Sequence, residues 1–411
     1  MQTGFCMLTA GSVRTKNVMN VLLKNMLDCC TGAIVFFLFG YAFAHGEESN
    51  RFIGYSQFAL TRFDNFSHAV FFFRWTLSAA STTVVSGAIA ERATFYAYLI
   101  YSVCISGFLY PVISHGVWDV NGWLSAHRPD PVLGIGMIDF GGSAVVHMSA
   151  GLCGFLGTLI IGPRIGRFDS NGKPVAIAGH SASLVVLGTL LLCTGAFGFN
   201  AGSMLHVATR ADHELFGGRN IVLSTGESVL VSPTMTVSRC LVTTLLGAAM
   251  SALVGLVISK WVLKVFDLIF ICNCLLGGLV SITAGCATLE PYAAMCVGGF
   301  SAVVYFLGSR LVLRIRVDDP VDASAVHFGC GLWGVLAVGL FSSERLQAGA
   351  GFPVTHFGLV HGGDWALLGC QVIGMASVIG SVTATCVPLF LLLRAFGILR
   401  VSAEQEEKGI D

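Results

Sequence analysis

Residues 139–154 read DFGGSAVVHMSAGLCG, and residues 319–334 read DPVDASAVHFGCGLWG. Both fit one pattern: an Asp, a His eight residues later with Val before it, then Gly, Leu and Gly at four, five and seven residues past the His. The first copy supplies Asp139, Val146, His147, Gly151, Leu152 and Gly154. The second supplies Asp319, Val326, His327, Gly331, Leu332 and Gly334. Six matches at fixed offsets are hard to reach by chance, even in a biased composition, so the chain contains an internal repeat.

The surroundings of the two copies say what kind of repeat it is. The chain has 411 residues, 55% hydrophobic and 11% charged, with a mean hydropathy of +0.78. Soluble domains carry about one quarter charged residues. A surface this poor in charge excludes a large soluble enzyme, and the hydrophobicity excludes disorder. Lys plus Arg equals Asp plus Glu at 23 each, so no basic face points to nucleic acid. Glycine is abundant (50) and proline scarce (10), as where membrane helices pack closely. The 14 cysteines lie mostly in apolar runs without paired zinc spacing, and read as packing residues. No metal or cofactor is expected.

A spanning helix needs about 20 mostly apolar residues. Ten stretches qualify: 26–44, 69–90, 95–114, 137–162, 180–200, 234–258, 268–288, 291–313, 324–342 and 366–398. Residues 1–13 are apolar but too short to cross, and read as the second half of an eleventh span whose start is missing. The fold expected is therefore an all-α polytopic membrane protein of eleven spans, the first truncated. Counting that half-span as the first, the repeat copies fall in spans five and ten and cross in opposite directions. That is a 5+5 inverted repeat, with its site expected near the midplane. The halves run 1–162 and 180–342, joined by a cytosolic linker 163–179. An outer loop (343–365), a last span (366–398) and a truncated tail (399–411) follow. Most of the 23 Lys and Arg residues fall on one side, which puts the N-terminus outside and the C-terminus in the cytosol. The sequon Asn65-Phe66-Ser67 then lies on the outer side.

Each His stands about 12 Å from its Asp along a helix. If the Asp residues mark opposite faces of a core about 30 Å thick, the two His lie about 6 Å apart in depth. Of the 11 His, only these two sit well inside candidate spans. One such His could be a packing residue bonded to a carbonyl. A symmetry-related pair points instead to function: two neutral imidazoles sharing a hydrogen bond offer polar contacts to a small neutral molecule and a proton relay. They would repel a permanent cation such as K⁺. Asp139 and Asp319 sit at helix starts, where capping explains them; Asp319 reads as structural.

These residues carry a resemblance. The strings MLTAGSVRTKN (7–17), SGAIAERATFYAYLIYS (86–102), IDFGGSAVVHMSAG (138–151), GPRIGRF (162–168), GHSASLVVLGT (179–189), FGFNAGS (197–203), ITAGC (282–286) and DDPVDASAVHFGCGLWG (318–334) resemble ammonium transporters of the Amt/Mep/Rh superfamily, plant-type branch. They cover nearly the whole chain in the family's order. The resemblance implies a homotrimer of eleven-span subunits in the plasma membrane, each with its own pore. Ammonium would bind an outer vestibule, pass an aromatic gate and lose a proton, with NH₃ and H⁺ crossing past twin histidines. His147 and His327 match those histidines, Trp118 and Ser203 the vestibule, Phe199 one gate aromatic and Asp139 the acidic residue beneath. Read from the residues alone, Trp118 is an interfacial residue and Phe199 a core one.

The chain also departs from the family pattern. Leu77 stands where the second gate phenylalanine is usual, and Ala196 where a Trp is usual. His115-Gly116-Val117-Trp118 lacks the aromatics that precede the last Trp. These departures leave two competing readings open: an ammonium sensor with little transport, and a passive NH₃ or CO₂ channel. An enzyme is not expected, since no nucleophile–base pair falls inside a span.

Overall fold

The computed structural model describes residues 1–62, 67–205, 219–224 and 226–411. The sequon at Asn65 and part of the 206–227 linker lie outside them. The chain is helical nearly throughout. We number its main helices α1 Gln2–Ser12, α2 Thr15–His45, α3 Ser67–Ala88, α4 Phe95–Trp118, α5 Ser143–Ile161, α6 Ala182–Gly202, α7 Pro233–Leu263, α8 Leu268–Thr283, α9 Pro291–Arg314, α10 Ser324–Phe341 and α11 Trp365–Ala395, with a tail helix α12 Ala403–Lys408. Eight of them are long and apolar enough to cross a membrane. α8 is apolar but shorter, α3 has the length but is rich in Ser and Thr, and α1 has 11 residues.

Local chemistry sets the helix starts. The side chains of Thr94, Ser181, Ser232, Asp267 and Asp364 each accept a backbone N–H in the first turn of α4, α6, α7, α8 and α11. Pro233 and Pro291 open α7 and α9, where the missing N–H costs nothing. A hairpin, β1 Arg219–Val222 with β2 Ser228–Val231, lies between α6 and α7, where no strand is expected from the sequence.

Two span starts differ from expectation by more than two residues. α2 begins at Thr15 rather than at 26, because Lys24 is buried with its ammonium on the Ala93 carbonyl and does not mark a linker. α5 begins at Ser143 rather than 137. Gly142 has φ +104, and residues just before it pair with the end of α8: Phe140 N–H donates to Ala284 O (3.0 Å) and Gly141 N–H to Thr283 O (3.0 Å). Two histidines also differ. His45 and His115 end α2 and α4 and are not linker residues. His115 is fully buried, its ring nitrogens on the carbonyls of Ala44 (3.1 Å) and Asn50 (2.8 Å).

The repeat is visible as a reciprocal crossing. Both His-bearing turns, Ser143–Met148 and Ser324–Gly329, are wide π-type turns at the head of a helix, a geometry often found at functional sites. A Cβ on Gly151 would stand 2.2 Å from the Phe328 nitrogen, and one on Gly331 would stand 2.8 Å from the Ser143 carbonyl. Each copy's first glycine thus lets the other copy's turn come close. Large apolar side chains, among them Ile34, Phe37, Leu245, Leu253, Leu307 and Leu392, point outward. In water such a surface would aggregate; against lipid it is the stable arrangement.

Candidate functional site

The crossing brings His147 and His327 together. Their Nδ1 atoms are 3.2 Å apart, with ring centroids at 5.2 Å and planes at 19°. At that distance one Nδ1 carries the hydrogen and the other accepts it, so the two rings hold complementary tautomers. Both rings are buried, 3% and 7% exposed. Phe199 lies 5.6 Å from the His147 ring and Phe5 lies 6.0 Å from the His327 ring. Beside them is a space of about 20 Å³ lined by both histidines, Phe199, Ala196, Leu192 and Thr283. That holds about one water-sized molecule.

On one side of the pair is a larger cavity of about 250 Å³, lined by Arg74, Leu77, Trp118, Asp139, Ser203 and Phe352 among others. The Trp118 indole donates to the Asp139 carbonyl (2.6 Å), which fixes the ring. The Ser203 hydroxyl donates to the Phe199 carbonyl (2.9 Å), which leaves its lone pairs to accept. The Asp139 carboxylate takes three backbone N–H groups, from Gly142 (3.1 Å), Ala144 (2.9 Å) and Val145 (2.9 Å). It therefore caps the His147 turn and puts negative charge under the cavity. Leu77 is 1% exposed and packed at the cavity floor. His127, from the loop between α4 and α5, stacks on Phe352 (5.1 Å), and burial pushes its pKa below the ordinary value. In this neutral form it adds no charge to the cavity.

Of the seven residues singled out in the sequence, Trp118, Ser203, Asp139 and Leu77 line the larger cavity, and Phe199, His147 and His327 line the small space. Sequence reasoning missed Arg74. Its guanidinium lies over the Trp118 ring at 5.2 Å, a cation–π contact on the face where a ligand cation would sit. Among the described residues no carboxylate pairs with it. The signal was available, since Arg74 falls three residues before Leu77 within a candidate span.

The opposite end of the bundle is charged and closely paired. Arg164 bridges Glu91 (3.1 Å) and Asp318 (2.8 Å), Arg167 joins Asp318 (3.1 Å), and Arg400 joins Glu406 of α12 (2.8 Å). Asp318 feels two opposed effects. Burial pushes its carboxyl up, but the Arg164 hydrogen bonds and charge outweigh this and hold it at about 2.

Comparison with known proteins agrees with this architecture. Residues 1–411 match the Ammonium Transporter Family. Ammonium transporter 1 member 3 of Solanum lycopersicum is 42% identical, with 100% of this chain and 88% of the relative aligned. Ammonium transporter 1 member 1 of Oryza sativa subsp. japonica is 45% identical over 98% of this chain and 80% of its own. Among solved structures, a protein described as a sensor Amt protein superposes with a TM-score of 0.85 at 26% identity, covering 100% of this chain and 93% of that one. Candida albicans Mep2 superposes with a TM-score of 0.81 at 24% identity, over 98% and 84%, which speaks for the fold alone. An apolar helical bundle, a reciprocal repeat and a family match from end to end lead to one statement: the chain is an integral membrane protein and belongs to the ammonium transporter family.

Proposed function

We propose that the chain carries ammonium across a lipid bilayer as ammonia plus a proton. The observation that carries this reading is the buried His147–His327 pair, with Nδ1 atoms 3.2 Å apart, set between an outer cavity and a one-molecule space. Ammonium enters the cavity, where Ser203 accepts an N–H and the Asp139 carboxylate adds a negative field. It loses its proton before the narrow part, because a bare cation in hydrocarbon costs far more than neutral ammonia. The histidine pair then hydrogen-bonds ammonia and relays a proton between its nitrogens. Phe199 and Leu77 close the passage above it.

The same reading gives the molecule eleven crossings in two inverted halves, 1–162 and 180–342, with the N-terminus outside and the C-terminus in the cytosol. The gathering of Arg14, Lys16, Arg164, Arg167 and Arg400 at the α12 end supports that orientation. The resemblance to relatives supports a homotrimer in a plasma membrane. The test is current: the chain in proteoliposomes is pulsed with ammonium, with K⁺ as control. A saturable, ammonium-specific inward current that His147→Ala abolishes is expected. Tight ammonium binding without flux would favour a sensor, and a flux indifferent to voltage a passive channel.

A further inference from the structure

Below His327 a second space of about 20 Å³ is lined by Phe5, Thr9, Thr83, Asn273 and His327. Thr83 also faces the other way. Its hydroxyl has two acceptors, the Asp28 Oδ2 (2.9 Å) and the Ala79 carbonyl (2.8 Å). Asp28, on α2, is wholly buried. Its Oδ2 also accepts from the Thr82 hydroxyl (2.9 Å) and its Oδ1 from the Ser102 hydroxyl (2.5 Å). From α1, the Gln2 amide donates to Thr83 Oγ1 (2.7 Å). Among the described residues no cation pairs with Asp28. Lys24, one turn earlier, gives its ammonium to the Ala93 carbonyl (2.8 Å). A lone carboxyl at this depth is expensive to keep and is a functional group by default.

The surroundings are polar beyond what packing needs. Asn25 Nδ2 and Gln2 Oε1 are buried without a hydrogen-bond partner, and the buried hydroxyls of Tyr98 and Tyr101 lie close to Ser86 and within electrostatic reach of Asp28. Unpartnered groups of this kind mark a seam where a proton or water can lodge. From Asp28 the hydroxyls of Tyr98, Tyr101 and Ser86 lead down beside α2, and the Ser86 hydroxyl faces Asn25 (3.4 Å). The seam reaches Lys24, which lines an open cavity of about 830 Å³ at the α12 end together with Asn20 and Asp411.

We propose that Asp28 is a proton-holding site on a side branch of the pore, loaded through the Thr83 hydroxyl and emptied toward the α12 end, while ammonia continues along the main passage. This rests on the transport reading above. The step balances. As Thr83 Oγ1 takes the proton that His327 gives up across the space both line, the His327 N–H bond breaks, the original Thr83 O–H bond breaks and a new O–H bond forms at Asp28 Oδ2. On release the carboxyl gives one proton to the seam, and no electron moves. Asp322 reaches the same space differently. Tyr305 donates to it (2.8 Å), and the Asn273 amide donates to Tyr305 (3.0 Å). An amide N–H gives a hydrogen bond but does not hand on a proton, so that route lacks the first link.

The test measures charge moved per ammonium taken up in proteoliposomes. Asp28→Asn keeps the size of the side chain but cannot hold a proton. We expect its charge ratio to fall at least threefold from the parent value while uptake stays within about twofold. Thr83→Val, which leaves Asp28 in place, is expected to do the same, and Asp322→Asn to leave the ratio unchanged. An unchanged ratio in folded Asp28→Asn, an equal loss of current and uptake, or a fall in Asp322→Asn alone overturns the proposal. Should Asp28→Asn fail to assemble, an unchanged ratio in Thr83→Val overturns it. Absence of ammonium current in the parent protein overturns the transport reading instead.

Discussion

The two copies of the histidine turn share a backbone and differ in what surrounds them. In the first, the Asp139 carboxylate is consumed by three backbone N–H groups, and its carbonyl anchors Trp118 at the rim of an open cavity. In the second, Asp319 accepts from the Ser324 N–H and hydroxyl (2.7 Å each), and its neighbour Asp318 is clamped by Arg164 and Arg167. One turn opens on a cavity; the other is tied into charge pairs. The symmetry places the histidines, and the loss of symmetry around them separates an open end from an anchored one.

The largest effect expected is at the shared centre. His147→Ala should lower ammonium-driven current by about a hundredfold, the low end for removing a proton-transferring side chain. His327→Ala should match it within a few-fold. Current that survives in one and not the other would show that the copies are not equivalent where they touch.

The caps should separate the copies more clearly. Asp139→Ala strips three buried backbone donors, so it should cost about 3 kcal/mol at about 1 kcal/mol each. Asp319→Ala strips two backbone donors, the Ser324 N–H and the longer, part-buried Val321 N–H, while the Ser324 hydroxyl can turn to a carbonyl of its own helix, and it should cost about 2 kcal/mol. Thermal melting in detergent measures both. Equal losses would mean that the open cavity lets water replace the Asp139 bonds.

The motif glycines make a smaller contrast. Gly151→Ala drives a Cβ to 2.2 Å from backbone and Gly331→Ala to 2.8 Å. About 2 kcal/mol is expected for the first and about 1 for the second, within the range for overpacking. Melting temperatures that fall in the opposite order would break the proposed crossing geometry.

At the open end, Arg74 occupies the Trp118 face at 5.2 Å. Arg74→Gln removes a competing cation worth ~0.5–1 kcal/mol. The ammonium concentration for half-maximal current should fall about threefold, with maximal current unchanged. A rise would mean that Arg74 holds Trp118 in its working position.

Part of this was legible in the residues. The shared offset of His from Asp marks two matching turns, and their rings do meet. Hydropathy picked out the eight helices that are long and apolar enough to cross a membrane, because lipid-facing faces must be apolar. It misplaced the start of α2, since a window scores Lys24 as water-facing while the fold buries it between helices. Asp28 fell inside a candidate span and was passed over. Its three hydroxyl partners come from α3 and α4, and no local pattern announces them. Arg74 was missed for the same reason: a helix period gives a face, not the ring lying across it. The wide turns at His147 and His327 depend on Gly142 and on how two helix heads cross, which is tertiary information.

The smallest effect is expected at the anchored end, and it depends on pH. Asp318 is held at about 2 in the folded protein against an ordinary 3.8. A carboxyl lowered on folding stabilises the fold at every pH above its unfolded value, and the contribution fades as pH falls toward the folded one. The stability that Asp318 contributes should therefore be flat from pH 7 to about 5 and then fall, by about 0.8 kcal/mol between pH 4 and 3 out of about 2.4 kcal/mol for the whole shift, and the melting temperature should follow. Asp318→Asn should melt lower at pH 7 and lose less between pH 4 and 3 than the parent. If the Asp318→Asn protein and the parent lose the same stability between pH 4 and 3, the arginine clamp is not what anchors this end, and the asymmetry between the two copies lies in the outer cavity alone.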